Sequence, residues 1–395
     1  MGNTVQNNNA PENALKPRRS ISPAFRSKLI TCGMVVALFI IVEILDSTGN
    51  MSNLFSGLLV PICYYITVAL SLNLVVGILG ELSLGHGGFM CVGAYASAFF
   101  TVATQDIITN VWIRFPLAFL VGGLTAAVFG ILIGIPVLRL KGDYLAIVTL
   151  AFGEIIKNVV TALYVGIDGN GVHISTTGTD ALNLAEDGQV IIKGALGITG
   201  IPKSSNVIVG FVIVMITLIV CLNLIDSRTG RAIMSIRDNR IAAESIGINV
   251  TKHKLFVFAI SAFFAGLAGT LYSHNLSGLT ANTNNFGYNM SITILVIVVL
   301  GGIGSMRGSV IAAIILTALP ELLRGFSEYR MLIYAVVLIV MMIVNNNPTI
   351  KSKLSMISSK IKSKLSRISP KVLMAKFKNR KKNKDKVDLQ KGAKG

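Results

Sequence analysis

The feature that most constrains this chain is a series of long apolar segments that contain few charged residues. A helix needs about 20 mostly apolar residues to cross the hydrocarbon core of a bilayer. Ten segments approach that length, near 29–45, 54–79, 88–104, 115–138, 144–165, 205–225, 255–273, 288–305, 308–324 and 330–344. The third and fifth are short or carry charge, so the count ranges from eight to eleven. The sequence therefore predicts an all-α polytopic membrane protein with about ten transmembrane helices.

The composition supports this class and excludes others. Charged residues make up 14% of the 395 residues, whereas soluble domains carry about 25%. The net charge of +18 comes from the two ends, because residues 1–28 hold five bases and one acid and residues 351–395 hold sixteen bases and two acids. The low content of charged residues excludes a soluble globular enzyme and a disordered chain. A basic surface for nucleic acid is not indicated either, so we expect no nucleic-acid partner.

The distribution of charge between the apolar segments predicts an orientation. Lys and Arg favour the cytoplasmic side of a membrane. If the basic N-terminus is cytoplasmic, segment 226–254 with its six bases is also cytoplasmic. Segment 166–204, with four acids and two bases, and segment 274–287, with no charge, then lie outside. After ten spans the basic C-terminus returns to the cytoplasm, so both termini are predicted to be cytoplasmic.

We predict three parts in the chain. They are a basic tail over 1–28, a transmembrane domain over 29–347 and a second basic tail over 348–395. The second tail begins with apolar residues at steps of three or four, surrounded by bases, and Pro370 ends this pattern. This pattern predicts a basic amphipathic helix, which is typical of segments that lie on an anionic membrane surface. We therefore expect membrane lipid as its partner, with a disordered remainder; a merely solvated tail is the alternative.

The predicted outer segment 166–204 is long and rich in Gly, Asp, Asn and Thr. A long segment without regular periodicity is either functional or loosely structured. It is therefore a flexible loop or a docking surface for an extracellular partner.

Two places inside the apolar segments carry ionisable side chains. Glu154 and Lys157 are three residues apart, so they project from one helical face and can pair. His86 lies between Gly85 and Gly87 in a glycine-rich junction. An ionisable residue within a membrane is a functional candidate by default. Glu154 is therefore either a structural ion pair or part of a translocation path, and Gly85, His86 and Gly87 are either a solvated loop or part of that path.

Small residues recur every four positions in the fourth apolar segment, at Gly122, Ala126, Gly130 and Gly134. Small side chains at this spacing let helices approach closely. We expect them to serve helix packing and not substrate binding.

Signatures of enzymatic chemistry are missing from the sequence. The four histidines and four cysteines are scattered, and neither H-E-x-x-H nor G-x-S-x-G occurs. No Gly-Lys dipeptide is present, so the chain has no phosphate-binding loop of the G-x-x-x-x-G-K-[ST] type. We therefore predict no catalytic, metal-binding or cofactor-binding residues, and any ATP-driven step requires another chain.

Segment 226–254 is polar and helix-prone from Arg231 to Ile246, and Gly247 is placed to end the helix. Apolar residues form a stripe among its charges. The segment is either an ordinary solvated helix or a short helix that docks into the groove of a partner.

Four segments together resemble a known family. They read GRAIMSIRDNRIAAESIGINVTKHKL in the loop, LSLNLVVGILGELSLGHGGFMCVGAYASAF at 70–99, LRLKGDYLAIVTLAFGEIIK at 138–157 and VLGGIGSMRGSVIAA at 299–313. In this order they resemble the membrane permease subunits of branched-chain amino-acid ABC importers, the LivM type. The similarity covers roughly residues 50–345, and the basic C-terminal tail departs from the family.

This resemblance implies a polytopic permease that carries leucine, isoleucine and valine inward. It also implies a second, LivH-like permease subunit, two ATP-binding cassette subunits and an extracytoplasmic binding protein as partners. In such families the loop helix meets the ATPase and transmits its closure. The residues that match this coupling role are Arg237, Asp238, Arg240, Ala242, Ala243, Glu244 and Gly247.

Other functions remain open on the residues alone. Within the same class, the cargo is alternatively urea or short amides, with simple sugars or nucleosides behind them. A different class is an ion-coupled secondary amino-acid carrier, which would depend on Glu154, Glu43 or His86 and would need no ATPase. An intramembrane enzyme is a third, weaker alternative.

Overall fold

A computed structural model describes residues 23–48, 53–140, 142–169, 171–185, 188–323 and 329–346. The predicted C-terminal tail over 348–395, with its amphipathic helix, lies outside these residues, as does most of the N-terminal tail. The chain divides into two compact units at residue 321. The second unit contains the helix Arg330–Asn346.

The described residues form twelve α-helices. They are α1 (Pro23–Ser47), α2 (Asn53–Asn73), α3 (His86–Ala103), α4 (Val111–Val137), α5 (Asp143–Ala162), α6 (Val207–Asp226), α7 (Arg228–Asp238), α8 (Arg240–Ser245), α9 (Val250–Ser273), α10 (Tyr288–Gly301), α11 (Met306–Leu322) and α12 (Arg330–Asn346). Each of the ten predicted apolar segments coincides with one helix, and α7 and α8 lie in the polar segment between α6 and α9.

Six of the described helices are long and apolar enough to cross a membrane: α1, α2 with its continuation to Leu79, α4, α5, α6 and α9. Helix α10 is a shorter apolar helix. The chain is therefore a mostly helical, polytopic membrane protein, as the predicted class requires.

The prediction of an entirely α-helical chain was wrong in one region, because segment 166–204 is partly folded as a sheet. The strands are β1 (Tyr164–Asp168), β2 (Gly171–Ser175), β3 (Gln189–Lys193), β4 (Ile198–Thr199) and β5 (Gly278–Leu279). Their order is β2-β1-β3-β4-β5, and every neighbouring pair is antiparallel.

The local sequence explains these strands. In β1 and β2, Asp168 pairs with Gly171, so two residues connect the strands, and the intervening Gly-Asn sequence followed by Gly favours a tight hairpin. β-Branched valines and isoleucines, which favour strands, occur in β1, β2 and β3. Segment 166–204 is therefore not a loop without regular structure.

Helix α9 is largely buried, and the small residues of α4 pack on it. A Cβ added to Gly130 would lie 2.5 Å from the Cβ of Ala262 on α9, and one added to Gly266 of α9 would lie 2.5 Å from the Cβ of Ala126. Gly122 meets Thr270 of α9 in the same way. The predicted packing role of the small residues is confirmed.

Candidate functional site

The segment between α6 and α9, which we call the α6–α9 loop (residues 226–254), folds as two helices and not as the single predicted one. The break falls at Asn239, whose backbone is extended (φ −155°, ψ 105°). Its side-chain oxygen accepts a hydrogen bond from the Ala242 backbone N–H at 3.1 Å, which makes Asn239 the N-cap of α8. An Asn inside a helix-prone run can satisfy the backbone in this way and start a new helix.

Gly247 ends α8, as predicted. Its φ of +84° lies in the left-handed region, which favours glycine. The Gly247 N–H donates to the Glu244 carbonyl at 3.0 Å, and the Ile248 N–H donates to the Ala243 carbonyl at 3.1 Å. This pair of bonds is the Schellman termination of a helix, and it directs the chain towards α9.

One face of the α6–α9 loop is buried and the other carries exposed apolar residues. Ile236, Ala243 and Val250 form a buried cluster to which Ile248 adds contacts. By contrast, the side chains of Ile241 and Ile246 are 79% and 74% exposed. The loop is thus anchored to its own chain while it presents two large apolar side chains outward.

The charges of the loop lie on both sides of the break. Arg240 Nε donates to Glu244 Oε1 at 2.9 Å on the surface of α8. Arg237 pairs with Asp238 at 3.2 Å, and its Nη1 donates to the Gly77 carbonyl at 3.0 Å. Of the seven residues matched to the coupling role, Ala243 is therefore part of the buried anchor, Gly247 sets the path of the chain, and the other five are partly or fully exposed.

Glu154 and Lys157 form the ion pair that the sequence predicts. Lys157 Nζ lies 2.6 Å from Glu154 Oε2 and also donates to Thr283 Oγ1 at 3.2 Å. The other carboxylate oxygen of Glu154 accepts from the Tyr288 backbone N–H at 2.6 Å. Glu154 therefore joins α5 to the first turn of α10, where a negative charge is favoured by the helix dipole.

His86 is buried at the start of α3, so its interpretation as a solvated loop residue is wrong. Its side chain is 1% exposed, and its Nε2 lies 2.7 Å from Ser261 Oγ on α9. The Ser261 hydroxyl donates to the Ser71 carbonyl at 2.6 Å, so it accepts from His86 Nε2. His86 Nδ1 has no hydrogen-bond partner in the structure.

The two glycines beside His86 allow neighbouring helices to approach the backbone. A Cβ on Gly85 would lie 2.8 Å from the Thr149 carbonyl oxygen of α5. The Gly87 N–H donates to Ser291 Oγ of α10 at 3.1 Å. The structure therefore brings the His86 junction against the two helices, α5 and α10, that Glu154 connects.

Sequence reasoning missed three polar residues near this junction. Glu81 forms a largely buried ion pair with Lys254, at the start of α9. Asn73 donates to Ser309 Oγ at 2.9 Å and accepts from the Gly304 N–H at 2.8 Å. These residues could have been noticed as polar side chains within apolar or glycine-rich surroundings. Their pairing could not be predicted, because the residues that pair are 173 to 236 positions apart in sequence.

Within the described ranges, no group of three or more His, Cys, Asp or Glu side chains is arranged to hold a metal ion.

Comparison with known proteins places this arrangement in a family. Residues 54–344 match the family of the permease component of the branched-chain amino acid transport system. The high-affinity branched-chain amino acid transport system permease protein LivM of Salmonella typhimurium is 37% identical over 289 residues, which is 71% of this chain and 66% of LivM. The chain thus spans just under two thirds of the length of that relative.

More distant relatives include other permeases. The LivH permease protein of the same Salmonella transport system is 22% identical and is matched over 74% of this chain and 93% of its own length. The ribose import permease protein RbsC of Haemophilus influenzae is 34% identical, but over only 31% of this chain and 39% of its own length. No solved structure matches the chain significantly. The family match over residues 54–344, together with the apolar helices, shows that this chain belongs to the branched-chain amino acid transport system permease components, which makes it a multi-pass protein of the cell membrane.

Proposed function

We propose that this chain is a permease subunit of a binding-protein-dependent ABC importer that carries leucine, isoleucine and valine into the cytoplasm. The observation that carries this proposal is the α6–α9 loop, which is anchored on one face and exposes Ile241 and Ile246 on the other. A transporter that works alone does not need such a surface. The cargo is proposed from the 37% identity to LivM, whose name describes a branched-chain amino acid permease.

The proposed topology has ten transmembrane helices with both termini in the cytoplasm. The helices are α1 to α6 and α9 to α12. Two arguments support this count: ten helices coincide with ten apolar segments, and the alternation puts the six bases of segment 226–254 inside. The three parts of the chain, with basic tails over 1–28 and 348–395 around the transmembrane domain, follow from the same distribution of charge.

The energy for transport comes, in this proposal, from two separate ATP-binding cassette subunits. Arg237, Asp238, Arg240, Ala242, Ala243, Glu244 and Gly247 form the coupling loop that meets them. Fully burying an Ile side chain contributes about 1.5–3 kcal/mol, so Ile241 and Ile246 provide a substantial part of such a contact. The exposed Arg240–Glu244 pair adds charge around the apolar centre, in the usual pattern of an interface with a polar rim.

The opposite side of the molecule is proposed to receive the extracytoplasmic binding protein. Strand β5 comes from segment 274–287 and pairs with β4 of segment 166–204, with Ile198 opposite Leu279. This pairing joins the two predicted outer segments into one surface. A second, LivH-like permease subunit completes the membrane part of the importer, and membrane lipid is the proposed partner of the basic C-terminal tail.

The translocation path is proposed to run beside Gly85, His86, Gly87 and Glu154. The supporting observation is that His86 Nδ1 is buried without a partner at the first residue of α3, directly after residues 80–85, which are not helical. Irregular backbone at membrane depth is tolerated only against protein or a water-filled path. We propose no catalytic, cofactor or metal role for any residue.

Uptake measurements test this function. Cells with and without this gene are given labelled leucine, isoleucine and valine, with ATP depleted and with the proton gradient collapsed in separate experiments. The proposal predicts gene-dependent uptake that is lost on ATP depletion and survives collapse of the gradient. Gene-dependent uptake of urea, ribose or a nucleoside instead of leucine would replace the cargo and keep the class. Uptake that follows the gradient and not ATP would contradict the class.

A further inference from the structure

The chain between α2 and α3 is a distorted segment that is held from two directions. We call it the α2–α3 connector, residues 74–85. It begins as a π-helix over Leu74–Leu79, passes through Gly80 in the left-handed region (φ 79°) and continues without regular structure to α3. A π-helical turn holds one more residue than an α-helical turn and often marks a functional site.

The first attachment of the connector is to α7. Arg237 Nη1 donates to the Gly77 carbonyl at 3.0 Å, which lies inside the π-helix. The Arg237 side chain also covers Gly80 so closely that a Cβ there would lie 2.5 Å from Arg237 Cγ. Gly80 is thus required both by its left-handed backbone and by this contact.

The second attachment is the ion pair between Glu81 and Lys254. The Lys254 side chain is 5% exposed and that of Glu81 is 15% exposed. Lys254 lies in the first turns of α9 and is the last residue of the α6–α9 loop. Removing one partner of a buried ion pair leaves an uncompensated charge. Separating Glu81 from Lys254 is therefore unfavourable, and the pair ties the connector to α9.

The far end of the connector reaches the centre of the helix bundle. The Leu84 N–H donates to Thr149 Oγ1 of α5 at 3.0 Å, and His86 contacts Ser261 of α9. Arg237 and Lys254 therefore link the α6–α9 loop to the connector, and the connector continues to the start of α3. Contiguous networks of packed side chains, hydrogen bonds and ion pairs can carry energetic coupling between sites.

Building on the function proposed above, we propose that the Glu81–Lys254 ion pair is a latch that joins the ATPase-coupling loop to the α2–α3 connector. Glu81 and Lys254 act as positioning residues: they hold the connector in the arrangement seen here while the loop is at rest, and they transmit its movement to α3 during transport.

The test measures ATP hydrolysed per leucine transported in the complete reconstituted importer. The variants are Glu81→Gln, Lys254→Met and the charge-swapped pair Glu81→Lys with Lys254→Glu. Arg114→Met is the matched control, because it removes another buried basic side chain, whose Nη1 donates to the Gln105 and Ile108 carbonyls, outside both the connector and the α6–α9 loop. We expect each single variant to raise the ratio about tenfold, within the range of 5 to 150 for allosteric coupling, the swapped pair to restore it and the control to leave it unchanged. Single variants with the wild-type ratio, or a swapped pair that is as poorly coupled as the single variants, would overturn the latch.

Cross-linking keeps the proposal testable if a single variant fails to assemble. In a chain whose four native cysteines are replaced by serine, Glu81→Cys and Lys254→Cys are joined by a short bifunctional maleimide, with a monofunctional maleimide as control. We expect cross-linking, which rejoins the two positions, to lower the ratio of ATP hydrolysed to leucine transported towards the wild-type value, and the monofunctional reagent to leave this ratio raised. A ratio that stays raised after cross-linking would overturn the latch. If the unmodified importer itself does not transport leucine with ATP, the proposed function fails, and this result is distinct from failure of the latch.

Discussion

At the scale of single residues, Ile241 and Ile246 are the side chains on which the proposed contact with the ATPase depends. Because they are exposed in this chain, 79% and 74%, they contribute little to its own folding. Exposed apolar patches mark interaction sites, where a partner covers them. We therefore expect another surface to cover Ile241 and Ile246.

We therefore predict that Ile241→Asp weakens binding of the ATPase subunits without lowering the amount of folded permease. Losing a buried Ile side chain costs about 1.5–3 kcal/mol, which corresponds to roughly a 10- to 150-fold loss of affinity. Ile107→Asp is the matched control, because Ile107 is 81% exposed but lies outside the loop. Co-purification and ATP-driven uptake are measured for both. An Ile241→Asp variant that binds the ATPase as the control does would contradict the assignment of this surface.

Glu154 yields a second prediction at this scale. Glu154→Gln leaves the Lys157 charge without its carboxylate partner, and breaking a buried ion pair lowers the free energy of unfolding by about 3–5 kcal/mol at most. The Gln side-chain oxygen can still accept a hydrogen bond from the Tyr288 N–H. If the pair is structural, Glu154→Gln lowers the thermal stability of the purified protein, and adding Lys157→Met restores both stability and uptake. Stable but inactive Glu154→Gln protein, not rescued by Lys157→Met, would instead indicate an ion-coupling role and favour the secondary carrier.

At the scale of elements, Gly247 tests whether the orientation of α8 matters for function. A left-handed backbone costs a non-glycine residue roughly 1–2 kcal/mol. Gly247 and Gly200 have nearly the same φ, +84° and +81°, and neither has an atom within 4 Å of an added Cβ. Their alanine variants therefore carry equal local strain at different places.

We predict that Gly247→Ala reduces the coupling of ATP hydrolysis to uptake, because the strain tilts α8 and its exposed face. Gly200→Ala should lower stability by a similar amount and leave coupling unchanged. Thermal denaturation and the ratio of ATP hydrolysed to leucine transported are measured for both. Equal coupling in the two variants would show that the termination of α8 is not functionally important.

Helices were predictable from the sequence, and the sheet was not. A spanning helix reveals itself within its own 20 residues, because the thickness of the bilayer sets its length. The strands contain five residues or fewer, and β4 pairs with β5 about 80 residues away, so no local window contains both partners. The break at Asn239 was hidden for a different reason, since a capping side chain overrides the helix propensity around it.

The same distinction applies to the candidate site. The loop and its residues could be found because they form one polar stretch between apolar helices. Arg237 and Gly77, by contrast, are 160 residues apart, and only the packing of α7 against the π-helix joins them. The burial of His86 likewise depends on α9, which no local pattern around residue 86 reveals.

At the scale of the whole molecule, the proposed topology predicts which surfaces face each side of the membrane. Thr177 and Ser245 are both exposed, in the sheet region and in α8 respectively. In a chain without native cysteines, we predict that Thr177→Cys reacts with a membrane-impermeant maleimide in intact cells. Ser245→Cys should react only after the cells are permeabilised. Reaction of both residues from outside, or the reverse pattern, would contradict the proposed orientation.

The central claim is that ATP hydrolysis in partner subunits drives amino-acid transport through this chain by way of the α6–α9 loop. Its most direct test is leucine uptake into proteoliposomes that contain this chain, the second permease, the ATPase subunits and the binding protein, with no ion gradient. We predict uptake that requires ATP and is lost in Ile241→Asp but not in Ile107→Asp. Leucine uptake driven by an ion gradient in proteoliposomes that lack the ATPase subunits would contradict the claim.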